Sequence, residues 1–256
     1  MIVTTAGRTN EVMKQQAKDA AYLLGCKYVD RNKKTVRSLL SFYKEDVLVA
    51  GKERYELFAV NGEEPFFFHP SSAMFRVKRL QKKEYDPFIE ACNLSAGKSF
   101  LDCTLGLASD SIVASYAVGD SGTVEGLEAS PVIAFIVKKG LSSWQADEED
   151  IDRAMRRIKV TAAHALDELK KRQDDSVDCI YFDPMFEEQI DSDGIKPLKS
   201  LAVYEEWTSE MIKEARRVAK ERVVLKDHYK SSRFEDFNFK RIDRKTAKFH
   251  YGIIEL

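Results

Sequence analysis

A chain of 256 residues, 44% hydrophobic and 32% charged, has room for one large α/β domain or a medium domain with an appendage. Only 6 Pro and 12 Gly exclude a linker-like or low-complexity tract, and a net charge of −1 excludes reading a nucleic-acid partner from overall charge. Cys26, Cys92, Cys103 and Cys179 include no C-x-x-C pair, so the usual metal and redox spacings are excluded and no metal is expected.

No apolar stretch approaches the ~20 residues of a membrane span. The opening MIVTTAGRTNEV lacks the charged start and apolar core of a secretory signal. With its scattered thiols, the chain is expected to be soluble and cytoplasmic.

Residues 1–85 read as a small α/β domain. IVTTA is strand-like, EVMKQQAKDAAYLLG is a helix ending at Gly25, and CKYV is a second short strand. VLVAG and YELFAV follow, with only GKER at the turn between them, and then EPFFFHP.

Residues 86–256 alternate strands and helices. SFLDC (99–103) leads through a glycine-containing turn to the apolar segment SIVASYAVG, and TVEGL (123–127) follows. PVIAFIVKKG is a helix with Pro131 in its first turn and Gly140 at its C-cap. EEDIDRAMRRI is a helix, IKVTAA a strand and HALDELKKRQ a further helix. CIYF (179–182) is the fourth strand, YEEWTSEMIKEARRVA (204–219) an amphipathic helix and RVVLK (222–226) the fifth strand. FKRIDR and FHYGIIEL close the chain as two strands with no room for a helix between them, an antiparallel pair. Such alternation predicts a mostly parallel, doubly wound sheet with an antiparallel edge.

In such sheets ligands sit at the carboxyl ends of strands. The turn after the first of these strands is DCTLGLASD (102–110). It carries Asp102, Thr104, Asp110 and a single glycine, Gly106, where a dinucleotide fold needs G-x-G-x-x-G. Two acids repel a pyrophosphate, whereas a cationic cofactor with an amino-acid tail can meet them, and Gly106 admits a close backbone approach. S-adenosylmethionine has that chemistry, and Glu128 in GLEASP stands where an acid can bind its ribose hydroxyls. Asp102 and Asp110 could alternatively cap a turn and a helix.

The fourth strand runs into Asp183-Pro184-Met185-Phe186. A base amine is a poor nucleophile because its lone pair is delocalised into the ring. Asp183 and the Pro184 carbonyl can accept its N–H bonds and aim that lone pair at a methyl group, while Pro184 stiffens the turn. Phe186 offers a face for stacking a splayed-out base, or packs in the core.

FDPMF, together with DCTLGLASD, GLEASP and VVLKD in the same order, resembles the RsmJ family of small-subunit rRNA guanine methyltransferases. The resemblance covers roughly residues 86–256. It implies a class I, Rossmann-like methyltransferase fold and methylation of a guanine exocyclic amine from S-adenosylmethionine. Carried over, cofactor contacts fall at Ser109, Asp110, Glu128, Ala129, His164, Ala165 and Asp183, and Met185 and Phe186 fall at the substrate. Three positions depart from the pattern. The family has arginine at Ser109, small hydroxyl residues near His164, and proline where Glu187 follows D-P-M-F.

His164 could stack beside adenine or open a helix, and Lys226, His228 and Lys230 could contact phosphate or lie in a solvated loop. RVKRLQKK (76–83) gathers five cations including Arg76, Lys78 and Arg79, and RNKKTVR (31–37) is similar. Both read as solvated faces or, if they share the side of Asp183, as a phosphate-tracking surface. HPSSAMF (69–75) is a candidate wall of the substrate pocket. Residues 4–34 also resemble the start of a Brix domain, a ribosome-assembly module, through T-T, an arginine and Y-V-x-R. The expected function is methyl transfer to a base amine of ribosomal RNA. The alternatives are the same fold acting on a protein or small molecule, and a non-catalytic RNA-binding module.

Overall fold

The computed structural model describes residues 1–184, 207–244 and 247–256. The N-terminal unit runs β1 (Ile2–Thr5), α1 (Glu11–Leu23), β2 (Lys27–Tyr28), α2 (Val36–Tyr43), β3 (Val47–Ala50) and β4 (Tyr55–Phe58). These strands form a sheet ordered β2-β1-β3-β4, parallel except for β4 against β3. Helix α1 starts where Asn10 accepts the Met13 amide at 2.8 Å. It closes through amide bonds from Gly25 to Tyr22 and from Cys26 to Ala21, so the helix ends just before the expected glycine.

Two connecting helices, α3 (Ser71–Gln81) and α4 (Pro87–Ala91), lead to the large sheet. There follow β5 (Ser99–Asp102), α5 (Ser109–Val118), β6 (Thr123–Glu128), α6 (Pro131–Ser143), α7 (Glu149–Arg157), β7 (Lys159–Ala162), α8 (Ala165–Leu169) and β8 (Val177–Phe182). The described chain ends with α9 (Ser209–Val218), β9 (Ala219–His228), α10 (Arg233–Asp236), β10 (Lys240–Ile242) and β11 (Phe249–Glu255). The seven strands are ordered β10-β11-β9-β8-β5-β6-β7. β5 to β9 are parallel, and β11 is antiparallel to both β9 and β10, as the closing pair predicts.

Alternation along β8 shows why this sheet is buried on both faces. Cys179 and Tyr181 point into one core with Phe88, Phe100 and Ile133, while Ile180 and Phe182 point into another with Met211, Ala215 and Phe234. The first core is continuous with the small sheet through Val3, Leu48 and Leu57. Tyr55 of β4 packs edge-on against Phe135 of α6 with ring centroids 5.0 Å apart.

Four expectations need correction. Gly140 lies inside α6, not at its C-cap, because a Cβ there would stand 2.2 Å from the buried Phe68 ring. The glycine makes room for the phenyl group, and the helix runs on to Ser143. The segment HALDELKKRQ forms only the five-residue α8, since KKRQDD after Leu169 carries no apolar residue to continue its buried face. The fifth strand is ten residues long and starts directly after α9, so it runs on past Lys226, and His228 belongs to the strand rather than to a following loop. Helices α2 and α3 arise in segments that the sequence left unassigned, and residues 204–206 of the predicted amphipathic helix lie outside the described residues.

Candidate active site

The chain leaves β5 for β6 and β7 on one side and returns as β8 on the other, so the sheet's switch point lies between β5 and β8. The crevice at their carboxyl ends is the site that open α/β sheets use for ligands. Asp102 is the last residue of β5, and Asp183 and Pro184 follow β8. Two bonds stitch these ends together: the Cys103 amide donates to the Tyr181 carbonyl at 2.9 Å, and the Asp183 amide to Thr104 Oγ1 at 2.6 Å.

The turn after β5 is built around two carboxylates. Asp102 is buried and accepts from the Thr104 amide at 3.0 Å and from Ser111 Oγ at 2.7 Å. It closes the turn as the capping alternative supposed, from a buried position at the end of β5. Burial pushes its carboxyl up to about 7, against the pull of the Ser111 and Thr104 hydrogen bonds. Gly106 takes a φ of +49°, a conformation that favours glycine, and its amide donates to Glu128 Oε2 at 3.2 Å. The other Glu128 oxygen accepts the Ser130 amide at 2.9 Å. Glu128 therefore joins the loops after β5 and β6 across the mouth of the crevice.

On the opposite side, four charged groups meet below Asp183. Lys226 Nζ lies 2.6 Å from Asp183 Oδ2 and 3.1 Å from Asp110 Oδ2. Asp110 also accepts from Arg76 and, at 2.8 Å, from the Tyr181 hydroxyl. Arg76 in turn makes two 2.9 Å bonds to Asp86. Burial raises Asp110, but Lys226 and Arg76 outweigh it and hold the carboxyl well below the usual carboxylate range. Lys226 is held above its ordinary value by Asp110 and Asp183 despite its own burial. Asp183 rises to about 6 because desolvation and the Asp110 charge together outweigh Lys226.

The remaining candidates fall around this centre. Ser109 opens α5, Ala129 links β6 to α6, and His164 occupies the N-cap position of α8 with Ala165 buried behind it. Met185 and Phe186 lie outside the described residues. Arg76 is turned inward onto Asp86 and Asp110 rather than outward to a substrate. Lys78 and Arg79 are exposed, where Lys78 pairs with Glu148 at 3.2 Å and Arg79 with Glu84 at 2.7 Å. Sequence reasoning missed Tyr181 and the lysine's role beside two acids. The lysine inside the apolar run VVLKD was the available signal, because a buried strand position carries a cation only if anions face it.

A switch-point crevice, one acid at the end of the second strand and an Asp-Pro at the end of the fourth define a class I, Rossmann-like methyltransferase. The comparisons agree. A family model described as "Putative SAM-dependent methyltransferase" matches residues 43–251, and the chain belongs to that family. It is 48% identical over 255 residues to "Uncharacterized protein YpiP" of Bacillus subtilis (strain 168), covering 99% of each chain. The crystal structure of the SAM-dependent methyltransferase NGO1261 from Neisseria gonorrhoeae superposes with a TM-score of 0.66, covering 100% of this chain and 96% of that one. At 17% identity that likeness is one of fold. The protein is an S-adenosylmethionine-dependent methyltransferase. Among the described residues no group of His, Cys, Asp and Glu could hold a metal ion, and no helix is long and apolar enough to cross a membrane.

Proposed function

We propose that this enzyme methylates the exocyclic amine of a guanine in ribosomal RNA. The observation that carries the reading is Asp183, held by Lys226 at the end of β8 and followed by Pro184, beside the acids that suit a cationic cofactor. In this reading Glu128 binds the ribose hydroxyls of S-adenosylmethionine, with Asp102, Thr104, Gly106, Ser109 and Asp110 around the turn and Ala129, His164 and Ala165 along the neighbouring loops. When bound, the cofactor supplies a methyl group on a sulfonium that is a good leaving group.

The chain's own residues then orient the acceptor. Asp183 and the Pro184 carbonyl each accept one N–H of the amine, which withdraws the nitrogen lone pair from the ring and aims it in line with the methyl carbon. As the C–N bond forms and the C–S bond breaks, the nitrogen gains positive charge and loses one proton. Asp183, with a carboxyl near 6, can take that proton and return it to water at neutral pH.

The motif resemblance to the RsmJ family supports guanine and ribosomal RNA, and the Brix-like opening of the N-terminal unit supports a ribosomal setting. Comparing nucleosides of ribosomal RNA from cells with and without the gene tests this. One methylated guanosine should vanish without the gene and return with the intact enzyme, but not with Asp183→Ala. Unchanged nucleosides would discard the RNA reading.

The inward turn of Arg76 favours a second reading, the same chemistry on a protein or small molecule. That reading requires label from S-adenosylmethionine outside RNA.

A further inference from the structure

We propose that Lys226 is a positioning residue that fixes the orientation and the ionised state of Asp183, so that one carboxylate oxygen is left facing the amine. The inference rests on the reading of Asp183 as the amine's acceptor, and it assigns the lysine a task other than phosphate contact.

The geometry shows which partner is the anchor. Lys226 sits in the interior of β9, opposite Tyr251 of β11, with its side chain only 16% exposed. Its ammonium spends one donor on Asp110 and another on Asp183 Oδ2. Asp110 is pinned by Arg76 and the Tyr181 hydroxyl, and Arg76 is pinned by a two-point bond to Asp86. The lysine is thus fixed from three elements, α3, α5 and β8, whereas Asp183 lies at the start of the segment after β8. The carboxylate follows the lysine. With Oδ2 bound, Oδ1 is the oxygen left for the substrate.

The same contact decides protonation. Around Asp183 stand the anions Asp110 from α5 and Asp227 from β9 and the buried carboxyl of Asp102 from β5, with the hydroxyls of Tyr181 from β8 and Tyr251 from β11 nearby. Asp227 is engaged by Arg233 at 2.8 Å, and Arg76 faces Asp110. Desolvation and the acids all favour a neutral Asp183, which would donate an O–H rather than accept the amine's N–H. Lys226 is the cation that opposes them at contact distance.

Aspartate labelled with 13C at the carboxyl, with Asp183 assigned from the Asp183→Asn spectrum, reads that ionisation directly in the intact enzyme. Lys226→Met should raise the Asp183 midpoint by at least about one pH unit, the usual effect of removing a contacting opposite charge. Lys226→Arg should leave it within about half a unit, since the positive charge is kept. With the labelled acceptor, kcat of Lys226→Met should fall about twofold or more at neutral pH and recover as the pH is raised, while Lys226→Arg keeps most of the rate. Cofactor binding and melting check the fold, and Lys226→Gln replaces the methionine variant if that one fails to fold.

An unmoved Asp183 midpoint, or a rate loss that raised pH does not relieve, would overturn the role. The titration needs no substrate. A shifted midpoint without any methylated RNA would therefore discard only the substrate reading.

Discussion

The carboxylate of Glu128, at the end of β6, accepts the amide of Gly106, in the turn after β5, at 3.2 Å. Its second oxygen accepts the Ser130 amide, so one side chain sets the spacing of the two loops that flank the crevice. Glu128→Ala removes both ties and the acid proposed to bind the ribose. Cofactor binding should weaken by about 1.5–3 kcal/mol, the scale of a charge-assisted hydrogen bond. Calorimetry of S-adenosylmethionine binding checks this, and unchanged affinity would mean that the ribose is held elsewhere.

Asp183→Ala should abolish methyl transfer while leaving cofactor affinity within about tenfold, the scale of one lost hydrogen bond. In the proposed mechanism the acceptor form is the carboxylate. Because its carboxyl is raised to about 6, kcat/KM should climb as pH rises through about 6 and flatten above it. A profile flat from pH 5 to 8 would mean that ionisation of Asp183 does not matter to turnover.

Asp102 gives a stability prediction with a definite sign. Its folded carboxyl, pushed to about 7, holds a proton that the unfolded chain has already lost above its ordinary value of 3.8. That contribution is present below the unfolded value and is lost as pH rises through about 7, by at most about 1.4 kcal/mol per unit. Denaturant melts of the intact protein should therefore weaken over this window relative to Asp102→Asn, whose amide can still accept from Thr104 and donate to Ser111. Parallel pH curves for the two proteins would show that Asp102 is ionised throughout.

Gly140→Ala should destabilise although alanine favours a helix. The added Cβ meets the ring of Phe68, which is 2% exposed and packs edge-on against Trp144 with centroids 6.1 Å apart. Overpacking of about 1–3 kcal/mol should outweigh the helix gain of up to about 1 kcal/mol. A higher melting temperature for the variant would mean that the ring shifts at little cost.

The sheet was legible because its strands are short apolar runs closed by acids. The sequence order of Asp102, Glu128 and Asp183 already placed them at strand ends, and the closing antiparallel pair followed from the lack of room for a helix. Other features depend on tertiary contacts that periodicity does not carry. Gly140 has the signature of a helix end, yet Phe68, remote in sequence, decides that it is an interior contact. Arg76 reads as one cation in a surface run, but Asp86 and Asp110 draw it inward. Lys226 reads as the end of a short strand, and only pairing with β11 as far as Phe249 against His228 extends that strand through it.

The most direct measurement incubates the purified enzyme with labelled S-adenosylmethionine and separated RNA and protein fractions, including assembled small subunits, from cells lacking the gene. Label in ribosomal RNA, lost with Asp183→Ala, is the predicted result. Label confined to protein or small molecules, with ribosomal RNA and subunits unlabelled, would contradict it.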